Sequence, residues 1–283
     1  GPRALKRALR SLLFAWVVVA AGLAAHANWT ATGTVKYQDR EYDQTGFTGV
    51  QPQLAARFVD VEIVDASTGS VIGSGATNGL GAFTFTVTDG STRNIYMRAL
   101  TRSTKTTDLF VKVTNLALSP YAIAAATING HTSTTNVNFG TLVAAIGAGG
   151  EAFNLYDQAV YGSDYLAFLQ GARPNSTHPL TVTWQINGGI VGSSTDGTTI
   201  GMRDTGGYDD TVVLHEYGHF AVFNYSVSDN PALDHSLADC NQDPRMAWDE
   251  GHASYFSGAV RRLAGIPHPN LYVRTDGGAG PGH

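Results

Sequence analysis

Cysteine is almost missing from this sequence. Its 283 residues include only Cys240, so no disulfide can form within the chain. We interpret the lone thiol as a buried apolar side chain, because the sequence singles out no partner base for a catalytic cysteine. Charge is also scarce: charged residues make up 14% of the chain and the net charge is −5. This balance does not supply the basic patches of nucleic-acid-binding proteins, and no nucleic-acid partner is expected.

Long apolar runs are missing except near the N-terminus. A basic segment, residues 3–10, precedes an apolar stretch over 12–25 and a small-x-small cleavage site at 25–27. We therefore predict a signal peptide over 1–27 and a secreted or periplasmic protein. The alternative is an uncleaved anchor, but a membrane span needs about 20 apolar residues and this run is shorter. No stable membrane anchor is expected after cleavage.

Turn residues and β-branched residues are plentiful in the first half of the chain. Period-2 alternation in 58–64 and 83–87 places one face of each strand inward. Asn-Gly at 78–79 and Asp-Gly at 89–90 are strong turn signals between such segments. We predict an all-β sandwich over 28–142. Its strands are expected at 30–37, 56–65, 82–88, 94–100, 109–116, 121–128 and 135–139.

Beyond residue 142 the periodicity changes. The glycine- and alanine-rich segment 143–150 is predicted to be a linker. Apolar spacing then predicts a helix over 151–170, and short strands are expected at 181–185 and 198–202. With two further helices downstream, residues 151–283 are predicted to form an α+β domain.

The first of those helices carries a metal-binding pattern. N-cap residues at 209–211 precede it, and it contains the run HEYGH. His215 and His219 are four residues apart, so both imidazoles leave the same face of the helix and can bind one zinc ion. Glu216 can reach a zinc-bound water without binding the metal, which predicts a general base.

A third ligand is expected because catalytic zinc normally takes three protein ligands and a water. Asp243 and Pro244 fit the N-cap and first position of another helix, whose spacing places Glu250 on the inward face. A carboxylate there is costly unless it is paired or bound to metal, which favours Glu250 as the ligand. Weaker candidates for this role remain open: His252, Asp249, Asp234 and His235.

The run HEYGH, followed 31 residues later by EGHASYF at 250–256, resembles the gluzincin metallopeptidases, which include thermolysin-like and fungalysin-like proteases. The resemblance covers about 210–260 and implies a zincin-like domain in which 181–185 pairs with an extended peptide. In many gluzincins an aspartate orients the first histidine; Ser254 stands at that position here. The resemblance also implies a histidine or tyrosine downstream that stabilises the transition state. His268, Tyr272 and, nearer to the ligand, His252 are candidates, and the other possibility is truncation after His283.

The N-terminal half carries a second resemblance. The segments TGTV at 32–35, VDVEIV at 59–64 and TNGLGAFTF at 77–85 resemble the carboxypeptidase-regulatory-like (transthyretin-like) β-sandwich. Such modules accompany secreted enzymes or surface proteins and carry no catalysis themselves.

The function predicted from these patterns is a secreted peptidase with one zinc ion per chain, acting on peptide or protein substrates. The alternative is a cell-surface binding or adhesion protein. In that alternative the β-sandwich is the functional part and the peptidase-like half is degenerate.

Overall fold

The structure of the protein is a computed structural model that describes residues 27–184, 193–231 and 241–271. The predicted signal peptide lies outside the described residues except for residue 27. Five residues named above also lie outside them: Asp234, His235, Cys240, Tyr272 and His283. Among the helices that the structure describes, none has both the length and the apolar character needed to cross a membrane.

The N-terminal region is all-β, as predicted. Its strands, in chain order, are β1 (Asn28–Gln38), β2 (Tyr42–Asp43), β3 (Gly46–Phe47), β4 (Gln53–Ala55), β5 (Asp60–Asp65), β6 (Val71–Ala76), β7 (Ala82–Thr88), β8 (Arg93–Leu100), β9 (Val111–Thr114), β10 (Ala122–Ala124), β11 (Ile128–His131) and β12 (Val137–Ala144). Each of the seven predicted strands overlaps an observed one.

Two sheets share the core of this region. In one, β1 pairs with β12 in parallel and with β4 and β7 antiparallel. In the other, β8 pairs with β5, β10 and β11, and β6 continues the sheet beyond β5. Alternation along β1 buries Trp29, Ala31, Val35 and Tyr37 in the same apolar cluster as residues of β5 and β8.

Strand β6 had no counterpart in the sequence prediction, because its glycines hide the apolar alternation. Gly73 and Gly75 lie where the side chains of β7 cross over them: a Cβ at Gly73 would lie 2.7 Å from Val87, and one at Gly75 would collide with Phe85. The missing side chains therefore allow close contact between the two sheets.

Within its described residues, the second half contains three strands and three α-helices: α1 (Gly150–Gln170), β13 (Leu180–Trp184), β14 (Ser194–Thr195), β15 (Thr199–Met202), α2 (Asp210–Tyr225) and α3 (Pro244–Leu263). A third sheet has the order β14-β15-β13-β9. This sheet therefore includes β9 from the first half, and its strands come from both sides of the predicted linker in the sequence. Residues 145–149 form a hydrogen-bonded turn in which N–H groups of Ala148 and Gly150 donate to Ala145 at 2.9 Å. The domain boundaries stay a prediction.

The place of β13 corrects one prediction. Segment 181–185 was expected to pair with an extended substrate, yet β13 pairs in parallel with β9 on one side and with β15 on the other. Both of its edges are used by the protein, so it has no free backbone groups for a ligand. The strand beyond β15 on that side is β14, which pairs antiparallel with it.

Helix α1 is largely buried, and the other two helices pack against it. Phe153, Tyr156 and Val160 are buried, and Gly162 accepts the ring of Tyr217 from α2, since a Cβ there would lie 2.7 Å from that ring. Helices α2 and α3 then pack side by side: a Cβ at Gly218 would lie 2.8 Å from Cα of Ala253. This close approach places the side chains of the HEYGH run opposite those of α3.

Candidate metal centre

Local sequence starts both helices that carry the centre. Asp209 occupies the N-cap of α2, where its carbonyl accepts the N–H of Val212 at 2.9 Å. Asp243 caps α3 with its side chain, which accepts the N–H of Arg245 at 2.9 Å, and Pro244 follows at the first helical position. Both starts agree with the sequence pattern, so the ligand side chains have the predicted helical phase.

Three potential ligand atoms converge between α2 and α3. Nε2 of His215 lies 3.1 Å from Nε2 of His219 and 3.0 Å from Oε2 of Glu250. Nε2 of His219 lies 3.4 Å from Oε1 of Glu250. Each side chain is half-buried, with 14–21% of its surface exposed. The three are the group suited to holding a metal ion within the described residues.

The other nitrogen of each imidazole is also engaged. Nδ1 of His215 lies 3.2 Å from the hydroxyl of Ser254, and Nδ1 of His219 lies 3.0 Å from Oδ2 of Asp249. Asn230 donates its amide N–H to the same Oδ2 at 2.6 Å. Because an ionised carboxylate only accepts hydrogen bonds, His219 must donate from Nδ1, which leaves a lone pair on its Nε2.

The distances and hydrogen bonds of these groups can be compared with those that a metal ion requires. If His215 likewise donates from Nδ1 to Ser254, two imidazole lone pairs and a carboxylate point at one another, which is unfavourable without a cation between them. Two ligand atoms at 2.0–2.1 Å from one tetrahedral zinc ion lie about 3.3 Å apart. The observed separations of 3.0 to 3.4 Å agree with that spacing. The residues present therefore fit a zinc ion.

The electrostatics of the same three groups show their mutual dependence. Burial favours a higher pKa for Glu250, but hydrogen bonds and charge from His215 and His219 outweigh it and hold the pKa well below its usual range. Burial favours a lower pKa for His219, yet the hydrogen bond and charge of Glu250 raise it. Glu250 and His219 therefore each favour the charged form of the other.

An open cleft of about 390 Å³ leads to these ligands. Glu216 is buried and lines the cleft beside His215 and His219. Strand β14 forms the opposite wall, and Val222 and Phe223 supply an apolar floor. The position of Glu216 next to the first ligand is the one that the sequence predicts for a general base.

The remaining predicted residues lie in different places. Ser254 contacts His215, as described. His252 stacks on the ring of Trp248 at 5.3 Å between centroids and does not line the cleft. His268 lines another cavity, beyond the end of α3. Neither histidine is among the residues that line the cleft.

Two residues gain roles that the sequence reasoning missed. Asp249 was considered only as an alternative ligand, but its carboxylate contacts the outer nitrogen of His219. The available sequence signal for this role was that Asp249 directly precedes Glu250 on α3. Asn230 supports Asp249 from the loop after α2, and nothing in the sequence points to that contact.

Comparisons with known proteins are sparse. No protein-family model matches the chain, and no curated protein matches it. A solved 9R-lipoxygenase from Cyanothece PCC8801 is 15% identical, with a TM-score of 0.24, over 52% of this chain and 25% of that chain. The major plantain pollen allergen Pla l 1 is 14% identical, with a TM-score of 0.25, over 42% of this chain and 94% of that chain. The chain thus spans a quarter of the lipoxygenase. Likenesses this low carry no argument about fold or function.

Proposed function

We propose that this protein is a secreted zinc-dependent peptidase. The observation that carries the proposal is the convergence of His215, His219 and Glu250 beside Glu216 in an open cleft. Two histidines and one glutamate form a ligand set of catalytic zinc, in which a fourth position remains for water or substrate.

His215, His219 and Glu250 would hold the zinc ion, which would supply a water activated near neutral pH and a Lewis acid for a carbonyl group. The chain's own residues supply the rest. Glu216 accepts the proton of the attacking water and delivers it to the leaving amine. Asp249 and Ser254 hold the two imidazoles so that their Nε2 lone pairs face the centre.

A peptide substrate suits the walls of the cleft. Strand β14 pairs with β15 on one side and lines the cleft, so its backbone is positioned to meet an extended chain. Phe223, with 66% of its surface exposed, offers apolar contact to a substrate side chain. We propose this wall in place of the internal strand β13.

The wider assignment belongs to the same proposal. The helices and ligands support a gluzincin-like catalytic domain, and the all-β region supports a carboxypeptidase-regulatory-like module before it. Secretion rests on the N-terminal sequence pattern. The rival, a binding protein with a degenerate peptidase half, predicts no bound zinc.

The test begins with metal content. We expect one zinc per chain by mass spectrometry of the purified protein, and cleavage of casein that stops with 1,10-phenanthroline and returns with zinc. Glu216→Gln should keep zinc and lose at least about 100-fold in activity, since general base catalysis contributes about 10²–10⁴-fold. Iron in place of zinc, or full activity in Glu216→Gln, would contradict the proposal.

A further inference from the structure

A second cavity, of about 370 Å³, is lined by residues of α1 and α3, of the start of α2 and of the N-terminal strands. Its walls come from the β2–β3 hairpin, α1, the start of α2 and the loop after α3. It shares no lining residue with the metal cleft. Its volume is in the range of small-molecule sites and exceeds what a bare ion needs.

Three buried polar atoms at this cavity lack a hydrogen-bond partner within the described part of the chain: Tyr42 Oη, Gln158 Oε1 and Arg261 Nε. The three residues line the cavity, and they are exposed by only 8%, 2% and 1%. A buried polar atom that loses its water without gaining a partner destabilises the folded protein. Three such atoms around one cavity indicate a missing partner rather than chance.

The orientation of Gln158 is fixed by its neighbours. The amide nitrogen of Asn154 donates to Gly207 at 3.0 Å and to Asp210 at 2.7 Å. The remaining polar atom of the Asn154 side chain is therefore its oxygen. This oxygen faces the amide nitrogen of Gln158 at 3.4 Å. Asn154 does not line the cavity; the oxygen of Gln158 therefore lies on the cavity side and requires a donor.

Two carboxyl groups that line this cavity, those of Asp39 and Asp210, form no ion pair within the described residues. Asp39 accepts from the backbone N–H of Arg40 and Asp210 from Asn154, and within the described residues neither is paired with an arginine. Arg261 instead donates to backbone carbonyls of the loop at 267–271. Burial and the nearby charge of Asp39 raise the pKa of Asp210 to about 8. A positively charged donor near Asp39 would offset its negative charge and, with it, the rise in the pKa of Asp210.

The polarity of these groups describes the ligand. Gln158 and Asp39 together offer three acceptor oxygens, which match the three N–H groups of a primary ammonium. Arg261 Nε–H and the hydroxyl of Tyr42 offer donors, which match a carbonyl oxygen. A metal ion would use the oxygens but would leave Arg261 Nε–H and the hydroxyl of Tyr42 unpaired. The excess of carboxylates disfavours a second carboxylate on the ligand.

We propose that this cavity binds a small primary amine whose ammonium group adjoins a neutral carbonyl, as in an amino-acid amide or the amino terminus of a short peptide. Leu54 and Ile266 add apolar wall, so a modest apolar side chain is accommodated. The site is separate from the metal cleft and does not depend on the proposed peptidase activity.

The probe is L-leucinamide, titrated into the zinc-loaded protein by calorimetry and by thermal shift. We expect saturable binding and a Tm that rises with ligand concentration. N-acetyl-L-leucinamide, which lacks the ammonium, should give neither. Binding that survives acetylation, a shift with calcium chloride but not with leucinamide, or no binding would overturn the proposal.

Variants locate the site. Asp39→Asn and Gln158→Met should each weaken leucinamide binding about tenfold or more, since the first removes a negative charge and one acceptor oxygen and the second removes the amide oxygen. Asp43→Asn is the matched control: Asp43 lines the same cavity, but Thr45 already occupies its carboxylate, so affinity should stay within about twofold. Glu250→Ala should leave binding unchanged. Loss of binding in Glu250→Ala with none in Asp39→Asn would place the amine at the metal centre and refute the site.

Discussion

The contact between Asp249 and His219 offers the sharpest test of the metal centre. Replacing Asp249 with alanine removes the acceptor that lies 3.0 Å from Nδ1 of His219 and leaves that nitrogen without its partner in a largely buried position. It also removes the acceptor of Asn230. The imidazole is then free to turn or to change tautomer, and both changes weaken its Nε2 as a ligand.

The magnitude follows from the geometry. Loss of a partner that orients a metal-bound histidine costs about 10–100-fold in metal affinity, or about 1.4–2.8 kcal/mol. Asp249 is buried and charged, so Asp249→Ala should cause a loss of zinc affinity at the upper end of this range. Ser254 is exposed and its hydroxyl lies 3.2 Å from His215, so Ser254→Ala belongs at or below the lower end. Asp249→Asn keeps an acceptor oxygen and should fall between them.

Zinc affinity can be measured by competition with a chromogenic chelator at pH 7.5. Asp108→Asn serves as a control for charge, because Asp108 has 70% of its side chain exposed and pairs with Arg173 far from the ligands. Circular dichroism would confirm that α3 still forms in each variant. If Asp249→Ala binds zinc within about twofold of the wild type, or better than Ser254→Ala, the role given to Asp249 is wrong.

Three further outcomes are expected. Gly218→Ala should lower the free energy of unfolding, measured in urea, by about 1–3 kcal/mol and should weaken zinc binding. The reason is that the added Cβ would lie 2.8 Å from Cα of Ala253. Unchanged stability would contradict the close packing of α2 and α3 at this position. Zinc should dissociate as the pH falls from about 7 to 5, measured after dialysis, because Glu250 raises the pKa of His219 and protons compete with the metal. Asp210 holds its proton to about pH 8 in the folded state but releases it near pH 4 when unfolded, so wild-type stability loses this contribution as the pH rises through that window. Asp210→Asn should therefore gain stability relative to wild type between pH 4 and 8, and a constant difference would contradict the shift.

The parts of the structure that sequence predicted are those set by local pattern. Helix starts at Asp209 and Asp243 follow from capping chemistry within a few residues. The spacing of His215 and His219 follows from the helical repeat alone. Placing Glu250 opposite them needed one more step, that a carboxylate on an inward helix face requires a partner.

Strand partners were beyond that kind of reasoning. Strand β9 reads like any other strand of the first half, yet it pairs in parallel with β13 across the whole of α1. Periodicity reports which face of a strand is buried, but the identity of its neighbour depends on contacts far away in sequence. The same limit made β13 look available to a substrate when both of its edges are occupied.

Two of the three residues between the histidines, Tyr217 and Gly218, explain how the HEYGH run selects its third ligand. Tyr217 is fully buried, stacks on Phe256 of α3 at 5.8 Å between ring centroids and contacts the hydroxyl of Ser163 on α1. Gly218 allows the backbone of α3 to approach at Ala253. Together they fix the distance and rotation of α3 relative to α2, on which the position of Glu250 depends. A chain that kept the histidines but carried bulkier residues at these positions would retain two ligands and displace the third.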